Sequence, residues 1–60
     1  MKDHLRYEIY SDEEQRVIDY CSNKQGAIAR AYELMRRYGP MSVIRSKTGE
    51  IVFETHPDWP

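Results

Sequence analysis

DEEQRVIDYCS, residues 12–22, is the stretch on which the fold depends. As a strand, it follows a turn at 12–15 and folds back on the segment before it, setting Ile18 and Tyr20 beside Tyr7 and Ile9. As a helix, it opens with a capping box, Ser11-x-x-Glu14, whose hydroxyl and carboxylate satisfy free amides of a first turn. The helical reading aligns Glu14, Val17, Ile18 and Cys21 on one side. The strand is preferred because VIDYC, at 17–21, is β-branched or aromatic at most positions. A second strand also widens the sheet under the next element, whereas an isolated hairpin is marginal in water. The helical version would give strand, two helices and hairpin, the order of a pared-down winged helix-turn-helix, and would raise the expectation of DNA binding.

The segments on either side are more explicit. KQGAIARAYELMRRYG carries Ala27, Ile28, Ala31, Leu34, Met35 and Tyr38 at helical spacing, one apolar stripe. Ser22-Asn23-Lys24-Gln25 reads as its capping box. Gly39 offers a left-handed residue at its end and Pro40 prevents continuation. Arg36 and Arg37 stand in the last turn, where cations suit the helix dipole. Glu33 is spaced to pair with Arg37. Beyond the helix, MSVIRSKTGEIVFET holds two β-rich runs around a turn in which Gly49 supplies a positive φ. Before it, LRYEIYS alternates Leu5, Tyr7 and Ile9 against Arg6, Glu8 and Tyr10, a strand with one apolar face. The expected order is ββαββ, an α+β fold with one helix on a four-stranded, mainly antiparallel sheet. It forms a single domain over 1–60, with its core at about 5–54 and a tail at 55–60.

A chain of 60 residues has little core to spare. At this size about 60% of the unfolded surface is buried on folding, and stability is marginal without a staple. Cys21 is the only cysteine, so there is no internal disulfide, and an unpaired thiol fits a reducing cytoplasm. The N-terminal MKDHLRYEIY is charged throughout, which excludes a signal peptide or membrane span there. Charged residues make up 32% of the chain, yet the net charge is −1, so no strong long-range field attracts a polyanion.

Chemistry at a site needs positioned groups around a cavity that excludes water. The candidates here are His4, His56, Cys21, Asp19 and Asp58, and none has a partner at catalytic spacing. Two histidines near the termini do not make a metal site, and Cys21 reads as a small half-buried hydrophobe. The expectation is a non-enzyme with no cofactor, metal or small-molecule substrate. Nucleic acid is the rival. Arg30, Arg36, Arg37, Arg45 and Lys47, with Lys24, could form a local basic patch beside tyrosines able to stack on bases, although Glu33 sits within it.

The strongest functional signal lies in the last two strands. Val43-Ile44 and Ile51-Val52-Phe53 are apolar at consecutive positions, so both sheet faces must carry hydrophobes. If Val43, Ile51 and Phe53 meet the helix, Ile44 and Val52 point away, joined by Val17 and Tyr10. A large apolar outer face requires a cover. Trp59, flanked by Pro57 and Pro60 through a stiffened tail, could supply about 150–250 Å² of it. Alternatively a partner or a second copy of the chain covers the face and Trp59 anchors the interface.

The stretch from Asn23 to Glu54, through Ala27, Ala31, Leu34, Gly39 and Gly49-Glu50-Ile51, resembles a family of short uncharacterised bacterial and phage domains. The element order is also similar to that of the small RNA polymerase inhibitors of T7-type phages. The resemblance implies the ββαββ fold and a phage or mobile-element setting, and it transfers no functional residue. The leading expectation is a protein-binding module, a phage-type inhibitor or adaptor, able to act as a homodimer. Its contact residues would be Ile44, Val52, Trp59, Tyr10 and Val17. The alternative is a small nucleic-acid-binding regulator.

Overall fold

A computed structural model describes residues 6–55 of the chain. Strands β1 (Tyr7–Ser11) and β2 (Arg16–Cys21) precede helix α1 (Lys24–Tyr38), and β3 (Met41–Arg45) and β4 (Ile51–Glu54) follow it. The four strands form one sheet in the order β2-β1-β3-β4, with every neighbouring pair antiparallel. The expected ββαββ order and fold class are therefore present, and residues 16–21 are a strand.

The local signal that favoured a helix at residue 11 is nevertheless used. The Glu14 amide donates to Ser11 Oγ at 3.0 Å, as an amide in a helical first turn would. Gln15 then adopts φ 55°, a left-handed conformation that ends any right-handed helix after one turn. Its amide donates to the Ser11 carbonyl at 2.7 Å, and the chain reverses into β2. The Ser11 hydroxyl, fully buried, donates to the Tyr38 carbonyl at 3.2 Å, so the same residue ties this turn to the C-terminus of α1. The Asp12 amide adds a bond to the Pro40 carbonyl at 3.1 Å.

The helix begins one residue later than its apparent capping box. Asn23, with extended backbone at φ −134° and ψ 162°, is the N-cap. Its Oδ1 accepts from the Gly26 amide at 2.7 Å. Ser22 stands outside the helix because the amide side chain next to it holds the capping position, to which asparagine is well suited. At the other end Gly39 takes φ 82° and donates its amide to the Met35 carbonyl, and Pro40 leads into β3.

Ile9, Ala27, Ala31, Met41 and Val43 are completely buried. Ala27 and Ala31 let α1 sit close over the two central strands, whose Ile9 and Val43 are directly paired. Tyr7, Ile18, Cys21, Leu34, Met35, Tyr38, Val52 and Phe53 pack around this cluster. Thr55, placed by the sequence reading in the tail, belongs to the core. It is 5% exposed, and its Oγ1 accepts from the Met41 amide at 2.9 Å.

Candidate protein-binding face

Two β-bulges decide which side chains look away from α1. In the β1–β2 ladder the partners step from Asp19 to Val17 as β1 steps from Ile9 to Tyr10, leaving Ile18 as the extra residue. In the β3–β4 ladder they step from Phe53 to Ile51 as β3 steps from Val43 to Ile44, leaving Val52 as the extra residue. A slip of one residue turns a side chain to the other face. The expected register, with Ile18 and Tyr20 beside Tyr7 and Ile9, is therefore corrected. Cys21 lies opposite Tyr7, Asp19 opposite Ile9, and Tyr20 opposite Glu8.

The same correction applies at β4. Val52, expected to point away, packs against the buried core, while Ile51, expected to meet the helix, pairs with Ile44. Direct pairing places residues on a common face, so the surface opposite α1 is defined strand by strand. One row crosses the whole sheet as Tyr20, Glu8, Ile44 and Ile51. The next runs Val17, Tyr10, Ser42 and Glu54. Tyr20 is 49% and Ile51 52% exposed, while Val17, Tyr10, Glu8 and Ile44 are half-buried. Ser42 is buried, and its hydroxyl donates to the Asp12 carboxylate at 3.0 Å. The structure thus brings Ile44, Val17 and Tyr10 together as expected, removes Val52, and adds Tyr20, Glu8 and Ile51. Trp59, with His4, His56 and Asp58, lies outside the described residues.

The cations are distributed differently. Arg30 Nε donates to Asp19 at 2.8 Å and its Nη1 to Glu33 at 2.9 Å. Glu33 therefore turns to Arg30, and not to Arg37 as its spacing allowed. Arg45 lies 3.9 Å from Glu50 and 5.7 Å from the centre of the Tyr7 ring. Arg16 pairs with Glu14 and lies over Tyr38. Of the residues proposed for nucleic acid, Arg30 and Arg45 are thus partly neutralised. Arg36, Arg37 and Lys47 are exposed and have no carboxylate partner among the described residues.

Two groups near the β2 edge have shifted pKa values. That of Asp19 is lowered, chiefly by the hydrogen bond from Arg30 and further by the Tyr20 amide, against the opposing effect of partial burial. That of the Cys21 thiol is raised, first by burial and then by the neighbouring Asp19 charge. A raised thiol is a poorer nucleophile at neutral pH, which agrees with its place at the edge of the core. Among the described residues no group of three or more histidine, cysteine or carboxylate side chains could hold a metal ion. No helix there is long and apolar enough to cross a membrane.

The geometry defines a small α+β domain with one helix on a four-stranded antiparallel sheet. Compared with known proteins, the chain matches no family model, no curated protein and no solved structure. Of the positions that carried the expected resemblance to short bacterial and phage domains, Ala27, Ala31, Leu34 and Gly39 belong to the helix or its termination, and Gly49 supplies the positive φ of the hairpin turn; these are structural roles, and no comparison supports that resemblance.

Proposed function

We propose that this chain is a non-enzymatic protein-binding module that works through the sheet face opposite α1. The observation that carries the reading is the row Tyr20, Glu8, Ile44, Ile51, in which the two outer hydrophobes are about half exposed. With Tyr10 and Val17 beside it, the row forms a contiguous aromatic and aliphatic surface with no described element over it. Such patches mark interaction sites more often than plain solvent-facing surface, and tyrosine is a favoured anchor at interfaces. Its position on paired strands holds the side chains in a fixed arrangement, which reduces the ordering cost of binding.

The face, and not a sheet edge, is the contacting element. Both edge strands, β2 and β4, carry a bulge, and bulges twist an edge away from regular pairing with another chain. A role as inhibitor or adaptor fits a domain of this size, and the unpaired Cys21 suits a reducing compartment.

Ile51→Asp tests the reading with least risk to folding, because Ile51 is exposed and lies on an edge strand. Ile44→Asp tests the centre of the patch. The expected result is a fold retained by circular dichroism, with loss of the proteins captured by the wild-type chain or of its self-association. Unchanged capture, unchanged solution mass and unchanged solubility in both variants would end the proposal. A second reading, a nucleic-acid-binding regulator, is favoured by Arg36, Arg37 and Lys47, which have no carboxylate partner among the described residues. It predicts retention of DNA or RNA that weakens steeply with salt, and no retention at low salt would remove it.

A further inference from the structure

The sheet order leaves β2 and β4 as its two free edges. Their sequences, RVIDYC and IVFE, are of the kind that pairs readily with another chain. Valine, isoleucine, tyrosine and phenylalanine favour extended backbone, and neither strand holds a proline or glycine. Net charge is low as well. Arg16 and Asp19 balance within β2, and Glu54 is the one acidic side chain of β4. Short segments of high β propensity and low net charge, without proline, are the signature of cross-β assembly.

Each of these strands is interrupted. The central pair β1–β3 keeps unbroken register from Tyr7 to Ser11. Among the described residues, the register shifts fall in β2 at Ile18 and in β4 at Val52. A free edge templates pairing because its outward N–H and C=O groups recur at alternate residues. An extra residue sets the two sides of the strand out of phase and sharpens its twist. A strand approaching β2 therefore matches Asp19–Cys21 or Arg16–Val17, and not both. One approaching β4 meets Phe53–Glu54 or Ile51 alone. The longest unbroken run is three residues, in β2, against about five to six in an ordinary strand.

We infer that the two bulges guard the edges. They keep this chain from joining its own copies strand to strand, through segments that would otherwise assemble. The other common guards are missing at β2. It has no proline, and α1 lies mainly over the two central strands. β4, with four residues, is also protected by its shortness, so the six-residue β2 depends most on its bulge. This role is independent of what the outer face binds.

The test uses the full-length chain with Ile18 deleted or Val52 deleted, each of which joins the two runs into one regular strand. Ile18→Ala and Val52→Ala are the controls, because they weaken the same core contacts and keep the extra residue. Solution mass is followed over a dilution series, and amide exchange locates any contact. In wild type and the alanine variants the outward amides of β2 and β4 should exchange at every concentration. The Ile18 deletion should raise the mass about twofold or more over wild type, with new protection confined to β2. The Val52 deletion should do the same more weakly at β4. A deletion variant with wild-type mass, folded or unfolded, overturns the inference. Equal association of the alanine variants would trace the effect to a weakened core and overturns it too. Protection outside the edge strands, or protection of the edge amides in concentrated wild type, has the same consequence.

Discussion

Gly39 is the position where a single methyl group should do most harm. It ends α1 with φ 82° and ψ −164°, a conformation left essentially to glycine because a β-carbon crowds the backbone there. The expected cost of Gly39→Ala is about 1–3 kcal/mol. A chain of this length has a total stability of roughly 3–9 kcal/mol at about 0.05–0.15 kcal/mol per residue. The substitution therefore removes a large share, equivalent to a fall in melting temperature of about 4–24 °C at about 4–8 °C per kcal/mol. There are two candidate causes, and they can be separated. A β-carbon at this position would lie 3.2 Å from Glu13 Cδ and Oε1, but Glu13 is an exposed side chain that can swing aside. Backbone strain has no such escape.

The assay is a thermal and urea denaturation series on wild type, Gly39→Ala, Glu13→Ala and the double variant. If backbone strain dominates, the cost of Gly39→Ala is the same in both Glu13 backgrounds. Rescue by Glu13→Ala, or a cost below about 0.5 kcal/mol, the level of an ordinary surface change, would refute the reasoning. The site also has a structural consequence. Tyr38 and Pro40 on either side of Gly39 accept bonds from Ser11 and Asp12. A distorted Gly39 should thus loosen the turn at 12–15, visible as faster amide exchange at Asp12 and Gln15.

Two further outcomes follow from the core and its edge. Ala31→Leu should destabilise by about 1–3 kcal/mol through overpacking between α1 and the sheet, whereas Ala29→Leu on the exposed side should stay within about 0.5 kcal/mol. Equal urea midpoints for the two would show that α1 does not rest closely on β1 and β3. Folding lowers the Asp19 pKa below its ordinary 3.8, so the unfolded state holds that proton more tightly. The resulting stabilisation is complete well above 3.8 and is lost as pH falls through the lower folded value. Asp19→Asn should lower stability at neutral pH and flatten its decline in acid. The effect should be small, because the Asp19 and Arg30 side chains are 38% and 46% exposed and their attraction is screened. An acid limb identical to wild type would assign it to other carboxylates.

The elements and the faces were not equally legible in the sequence. Helix α1 announced itself through the spacing of Ala27, Ala31, Leu34 and Tyr38, and its end through Gly39 and Pro40, because these signals are local. The strand at 16–21 could be read only by weighing β-branched content against a capping pattern. Both signals were real, since Ser11 does bond the Glu14 amide, and Gln15 decided the outcome by entering a positive φ. The bulges at Ile18 and Val52 left no mark. Each extra residue is β-branched and apolar like the one before it, Val17 or Ile51, so nothing in VIDYC or IVFE tells which position will be unpaired. The resulting slip in register exchanged Ile51 for Val52 on the outer face and turned Tyr20 outward. Glu8 was read as the polar member of an alternation, and its central place in an aromatic patch emerges only from pairing across three strands.

The bulges also decide which hydrophobes the outer face of so small a domain carries. Of the completely buried hydrophobes among the described residues only Ile9, Met41 and Val43 are large, and the other two are alanines. A regular β4 would face the helix with Ile51 and Phe53, and a regular β2 with residues two apart. Each bulge instead turns Ile18 or Val52 against the core from an edge strand, in place of Val17 or Ile51. Ile18 and Val52 are half-buried there, so each gains part of the roughly 1.5–3 kcal/mol that full burial of such a side chain contributes. The same shift in phase leaves Tyr20 and Ile51 at the two ends of the outer row, with Glu8 and Ile44 between them. The shift that turns Ile18 and Val52 inward is thus the one that displaces Val17 and Ile51 outward. For that reason, deleting Val52 to restore regular pairing should both weaken the fold and remodel the binding surface. A deletion variant that kept its stability would separate the two roles and remove the link drawn here between core and face.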